Sequence, residues 1–321
     1  MSNSVKKILK IVIPILIGLG FVYYSFVSTS VEDRAKIIDA IKNADLFWAL
    51  ISISIGILSH VSRAIRWNYL LQPLGYKPRI SNNVLIILIS YFANTFILRS
   101  GEILRATALK TYENVPFEKG FGTIVTERII DVIMLLLVIT TALLFQTDVI
   151  LGLLKENGIG LLGSIILLIV GVLGLYIAIR IIKKSNFTFA IKIKSFLNGL
   201  LDGVLSVFKM KHKTAFIFHT FFIWGCYIAM FWIIKYTVVE TIGLPFGAFL
   251  VAFVAGSFAM AATNGGLGLF PIAVSAALTV YGISENSGKA YGWIMWTAQT
   301  AMVVVFGAIS FILLPLLNRN R

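Results

Sequence analysis

"VLIILISYFANTFILRSGEILRATALK", residues 84–110, decides how this chain is read. Residues 84–98 are almost wholly apolar, and Arg99, Glu102, Arg105 and Lys110 follow at once. Roughly 15 apolar residues make ~22 Å of α-helix, whereas a hydrocarbon core is ~30 Å thick. Basic residues flank the stretch on both sides, Arg79 before it and Arg99, Arg105, Lys110 and Lys119 after it. A full crossing would strand one basic cluster on the outer side, against the positive-inside distribution. A re-entrant hairpin, in and out on the cytoplasmic side, satisfies both length and charge. Non-helical backbone at that depth requires cover from protein or a wet cavity.

The rest of the chain agrees with a membrane setting. Of 321 residues 58% are hydrophobic and 13% charged, and the mean hydropathy is +0.91. A soluble protein of this size cannot hide so much apolar surface. The apolar runs are continuous rather than alternating, which excludes a β-barrel and predicts an all-α, polytopic helical membrane protein. The formal net charge is +14. It gathers in short loops, as topology and attraction to anionic lipid require, and no nucleic-acid partner is expected. Cys226 stands alone, and His60, His212 and His219 are scattered. No HExxH, CxxC, GxSxG or Walker-type glycine loop occurs. Neither metal nor cofactor is expected, and an ATP-driven pump in this chain alone is not.

Charge and hydropathy set an expected topology. Lys6, Lys7 and Lys10 precede an apolar stretch at 11–26, which reads as an uncleaved first span with its start in the cytoplasm. A short mixed-charge helix at 31–45 is expected on the outer surface, and 46–71 is the second span. Pro73, Gly75 and Pro78 mark a basic cytoplasmic loop. After the hairpin, 121–145 and 159–182 are full spans. Residues 183–213 are strongly basic with an apolar helical stripe, a surface helix for anionic inner-leaflet lipids. Residues 214–239 span outward. Two shorter pieces, 248–262 and 267–281, are broken by Thr263-Asn264-Gly265-Gly266 and form a second hairpin or two short spans. Residues 290–317 return, and Arg319 and Arg321 mark a cytoplasmic end. The expectation is about six full spans plus two short or re-entrant hairpin elements. They form a single transmembrane domain over 1–321, in parts 8–45, 46–145, 159–213 and 214–321. Its expected place is the inner (plasma) membrane, with both termini cytoplasmic. Interrupted segments in both halves of a membrane chain point to a substrate site.

Charges in or beside apolar segments mark functional sites by default. Four places qualify. Arg63 and Arg66 are three apart and share a helix face. Two guanidinium forks there suit a phosphate, although snorkelling to inner headgroups, with Trp67 as a belt residue, explains them too. Arg99, Glu102 and Arg105 lie along one helix edge, with Gly101 permitting close approach. They form an anion site or a self-satisfied ionic network. Glu127, Arg128 and Asp131 sit well inside a span, as a proton site, as partners of Arg99 or Arg105, or as a structural network. Asn264, Gly265 and Gly266 expose backbone groups at membrane depth, as does a turn needed only for close packing.

The stretches "RAIRWNYLLQPLG", "NTFILRSGEILRATAL", "TERIIDVIMLLL" and "ATNGGLGL" resemble, in order, the transmembrane region of the lysylphosphatidylglycerol synthases, a flippase-like family. The GE..R and ER..D elements are the specific ones. The resemblance implies an integral membrane protein that binds or moves lipid-linked polar groups between leaflets. Bifunctional members add a soluble aminoacyl-transfer domain. With only 318–321 after the last span, lysyl transfer by this chain is not expected. Two departures stand out. Phe96-Ile97-Leu98 replaces a proline common before the arginine-glycine-glutamate element. Near GGLG, Asn264 stands before and Phe270-Pro271 after, where the family often has proline and then glutamate.

The leading expectation is a lipid translocase. Arg63, Arg66, Arg99, Arg105 and Arg128 would hold the phosphate of a lipid headgroup. Glu102, Glu127 and Asp131 would balance them or read a cationic or hydroxylated headgroup, and the expected partner is a membrane lipid with a phosphate or glycosyl headgroup. The alternative is a membrane-embedded glycosyl or phosphoryl transferase, or an accessory protein, in glycolipid or envelope assembly. Without a nucleophile or metal motif, transport ranks above enzyme chemistry.

Overall fold

In a computed structural model, residues 30–97, 100–147 and 210–319 are described, with Tyr23, Tyr24, Val27 and Gly163. The expected spans at 11–26 and 159–182 and most of the basic segment at 183–213 lie outside the described residues. Nine α-helices run through the described part: α1 Val31–Lys42, α2 Leu46–Leu71, α3 Ile80–Phe96, α4 Ser100–Glu113, α5 Phe117–Phe145, α6 Lys213–Ile233, α7 Phe246–Ala262, α8 Leu269–Thr279 and α9 Glu285–Leu317. Four segments are long and apolar enough to cross a membrane: Leu46–Leu74, Phe117–Phe145, Lys213–Thr237 and Glu285–Leu317. Three apolar helices, α3, α7 and α8, are shorter. The protein is a multi-pass, all-helical membrane protein. It divides into two compact units, Met1–Glu127 with Lys211–Arg321, and Arg128–Met210.

The first short pair, α3 and α4, is a hairpin whose two ends come back together. Arg79 caps the start of α3. Its Nε and backbone N–H both donate to Glu113, the last residue of α4, at 3.3 Å. Asn82 donates to the same carboxylate. At the far end, Gly101 N–H donates to Asn94 Oδ1 at 2.7 Å, and a Cβ on Gly101 would stand 2.1 Å from the Ser90 carbonyl oxygen. Only glycine lets α4 fold back this closely.

The second short pair, α7 and α8, turns through Asn264–Gly266, where Gly265, Gly266 and Gly268 have φ of 60°, 78° and 72°. Left-handed backbone of this kind is cheap only for glycine. Ala248, Ala252 and Ala259 on α7 and Val274 and Leu278 on α8 bury into a core shared with α6 and α9.

Helix α9 orders both hairpins. Ser284 caps it, accepting from Ser287 N–H at 3.3 Å, and Glu240, just before α7, accepts from Ser284. Trp296, about three turns along, donates to the Gly265 carbonyl at 2.7 Å. At the opposite end Asn318 meets Asn82 at 3.1 Å and also Arg79. Between them, a Cβ on Gly307 would stand 2.4 Å from the Phe92 Cβ. The two hairpins therefore enter beside α9 from opposite ends, and α3 reaches the Asn264–Gly266 turn midway.

Helices α2 and α6 run antiparallel. Ser52 donates to the Met230 carbonyl at 3.1 Å near one end, and Ser62 meets His219 at 2.8 Å toward the other. The buried face of α2 is unusually polar, with Ser52, Ser59, His60, Ser62, Arg63 and Arg66. That face positions the site.

Candidate functional site

Glu127 lies in α5 nearly three turns from its start and is fully buried. Three guanidiniums converge on its carboxylate. Arg63 donates from Nη1 to Oε1. Arg66 Nη2 stands 3.5 Å from the same oxygen. Arg105 is bidentate, Nη1 to Oε1 at 3.2 Å and Nη2 to Oε2 at 2.8 Å. The arginines are 2%, 0% and 2% exposed, so they turn inward onto Glu127 rather than toward a headgroup layer. Taking such charges out of water is affordable only with close, well-bonded pairing.

A further ring of groups fixes the arginines. Arg63 Nη2 donates to the Tyr227 hydroxyl at 2.9 Å, and Arg66 Nη1 donates to Thr220 Oγ1 at 3.3 Å. The Arg105 guanidinium lies 3.8 Å from the centre of the Trp67 ring, where its charge meets the negative face of the indole. Trp67 is itself fully buried and donates from Nε1 to Thr123 Oγ1 at 2.9 Å. It is a platform under Arg105 and not a membrane-belt residue. One turn from Arg63, His60 is buried with its ring 4.7 Å from Tyr91, and its Nδ1 has no hydrogen-bond partner among the described residues.

Of the residues expected at a site, the structure thus brings together Arg63, Arg66, Arg105 and Glu127. Arg128 and Asp131 belong to the second unit and face each other at 3.8 Å one turn on. Glu102 is half-buried in the first turn of α4. Arg99 lies outside the described residues. Asn264, Gly265 and Gly266 form the turn of the second hairpin, held by Trp296. Tyr227, Thr220 and Trp67 were not singled out by sequence as site members. They carry no charge, and helical periodicity alone does not distinguish a buried hydroxyl or indole from ordinary core.

Three guanidiniums of the cluster converge on the Glu127 carboxylate. Grouped guanidinium forks are chemically suited to bind carboxylate or phosphate oxygens. Among the described residues no group of three His, Cys, Asp or Glu side chains is placed to hold a metal ion.

The family model for the lysylphosphatidylglycerol synthase transmembrane region matches residues 11–318. The chain belongs to this family. Helices α2 to α9, with both hairpins and the whole Glu127 cluster, lie within the region characteristic of these synthases. Among curated proteins the chain is similar to the UPF0104 membrane protein MJ1595 of Methanocaldococcus jannaschii, 29% identical over 135 residues, 41% of this chain and 38% of that protein. It is also similar to Glycosyltransferase AglD of Haloferax volcanii, 29% identical over 102 residues, 32% of this chain and 16% of that protein. The chain therefore spans well under half the length of either relative. No solved structure matches it.

Proposed function

We propose that Arg63, Arg66 and Arg105 receive the phosphate of a membrane lipid headgroup, and that the protein moves such lipids between leaflets. The observation that carries this reading is the convergence of three buried guanidiniums on Glu127. In this reading Glu127 gathers the guanidiniums at one place before lipid arrives. An arriving phosphate offers more acceptor oxygens than one carboxylate and shares the forks with it. Tyr227 and Thr220 then fix which nitrogens remain for the headgroup. Glu102 and the Asn264, Gly265 and Gly266 turn are the proposed further headgroup contacts.

Orientation follows from charge. The Arg79, Glu113 and Asn318 end adjoins Lys77, Lys119 and Arg319, and Lys211 and Lys213 open α6 beside it, where His212 packs on Tyr69 of α2. By the positive-inside rule this end faces the cytoplasm of an inner membrane. The arginine cluster is then loaded from the cytoplasmic side.

Reconstitution into vesicles carrying fluorescent phospholipid tests the reading. The wild-type protein accelerates exchange between leaflets, and Arg105→Ala slows it by at least about tenfold, equivalent to ~1.4 kcal/mol. Exchange no faster than in protein-free vesicles, or unchanged in Arg105→Ala, overturns it.

The similarity to a protein named Glycosyltransferase AglD supports a second reading, in which the phosphate belongs to a lipid-linked sugar and the chain serves its assembly. Lipid profiling of a deletion strain separates the two. A lipid on the wrong leaflet indicates transport, and a missing glycolipid indicates assembly.

A further inference from the structure

Among the described residues of the first unit, the buried cations meet carboxylates with one exception. Arg63, Arg66 and Arg105 share Glu127, and Lys289, 6% exposed, meets Glu285 at 2.7 Å. Lys235 is equally buried, at 7%. No ion pair to Lys235 occurs among the described residues. Its Nζ lies instead 3.9 Å from the centre of the Trp232 ring, 5.2 Å from Tyr236 and 5.7 Å from Phe249. Aromatic faces stabilise an ammonium only in part and leave it able to take an anion.

The position of this lysine is informative. It sits in the 3-10 turn Ile234–Thr237 that ends the span Lys213–Thr237. The Thr241 hydroxyl donates to its carbonyl at 2.8 Å and holds the turn. Trp48, near the start of α2, packs on Tyr236 with ring centres 4.5 Å apart, so aromatic side chains of two spans gather at this level. Such belts lie where hydrocarbon meets headgroups. Along α6, Thr220, the partner of Arg66, and Lys235 are 15 residues apart, or about 22 Å of helix. The arginine cluster and Lys235 thus occupy opposite ends of one antiparallel helix pair.

We infer that Lys235, within its Trp232, Tyr236 and Phe249 cage, is a second anion site that binds the phosphate of a lipid in the leaflet opposite the arginine cluster. It deepens the proposed function, resting on that reading for its role as the release-side counterpart of the arginine seat. The binding itself is measurable without transport.

The test uses the full-length protein in detergent, with retained lipid read by native mass spectrometry as phosphatidylglycerol is titrated in. Dioleoylglycerol and inorganic phosphate are the comparison ligands. The expected result is one phosphatidylglycerol fewer retained by Lys235→Gln than by wild type, or that lipid held about tenfold more weakly. Lys235→Arg retains it, and dioleoylglycerol is not held in either protein. Circular dichroism and thermal melting show whether Lys235→Gln is folded, and Trp232→Leu, which opens the cage but keeps the ammonium, weakens the same lipid. Equal phosphatidylglycerol retention by folded Lys235→Gln and wild type overturns the site. So does inorganic phosphate displacing no lipid but occupying the site alone, which assigns it to free phosphate. Lysine-dependent retention in a protein that fails to exchange lipid between leaflets keeps this site and overturns the transport reading instead.

Discussion

Arg105 holds Glu127 with two hydrogen bonds while its guanidinium carbon lies 3.8 Å from the centre of the Trp67 ring. One side chain therefore ties α4 to α5 by charge and to α2 by its π-face. This coupling makes the cluster a structural keystone as well as a candidate ligand seat, and it orders the consequences of mutation.

Removing the shared carboxylate is the severest change. Glu127→Ala leaves three buried guanidiniums without it, and breaking a buried pair costs about 3–5 kcal/mol. Thermal melting in detergent is expected to show a loss larger than that of Arg66→Met, whose nitrogen stands 3.5 Å from Glu127. Equal losses would show that the carboxylate is not the common anchor.

The platform under Arg105 separates two contributions. Trp67→Phe keeps an aromatic face but loses the 2.9 Å bond to Thr123, costing about 1 kcal/mol. Trp67→Ala removes the face and leaves a cavity, costing about 3–5 kcal/mol. Chemical denaturation of the two variants reads the difference.

The first hairpin depends on Gly101. A methyl group there meets the Ser90 carbonyl oxygen at 2.1 Å, a backbone atom that moves only if α3 and α4 separate. Gly101→Ala is expected to cost about 1–3 kcal/mol, as overpacking does. It also raises protease sensitivity where α3 passes into α4. Gly122→Ala, with nothing within 4 Å of the added carbon, is the neutral control.

At the other end of α9, the Ser284 hydroxyl, together with the Ser284 N–H and the Ser287 hydroxyl, holds the Glu240 carboxyl below its ordinary range, against a smaller effect of burial. A carboxyl depressed in the folded state stabilises the fold above the unfolded value of about 4.3. That stabilisation is lost as pH falls from there through the folded value. The melting temperature of wild type should therefore fall more steeply than that of Glu240→Gln below about pH 4.5, and the two should run parallel near pH 7. Parallel curves throughout would place the Ser284 contact outside the folding equilibrium.

Sequence alone determined the helices and the membrane setting, because an apolar run of given length either reaches across hydrocarbon or falls short. The shortness of 84–98 between two basic flanks was enough to expect a hairpin, and the ion pair from Arg79 to Glu113 closes it. The glycines at 265 and 266 likewise mark a turn by residue type alone. Sequence also named Arg63, Arg66, Arg105 and Glu127 as costly charges. Which of the neighbouring charges would meet was decided only in three dimensions. Arg63 and Glu127 meet although 64 residues apart, whereas Arg128, next to Glu127 in the chain, stands 3.8 Å from Asp131. Helix phase sets that choice, since consecutive residues on a helix point about 100° apart and tertiary packing selects which direction is covered. Tyr227 and Thr220 come from α6, which carries no ionised side chain beyond its first residue, and whose register against α2 no local signal encodes. The opposed entry of the two hairpins beside α9 also belongs to the tertiary structure, because it rests on small residues such as Gly307 meeting partners more than 200 positions away.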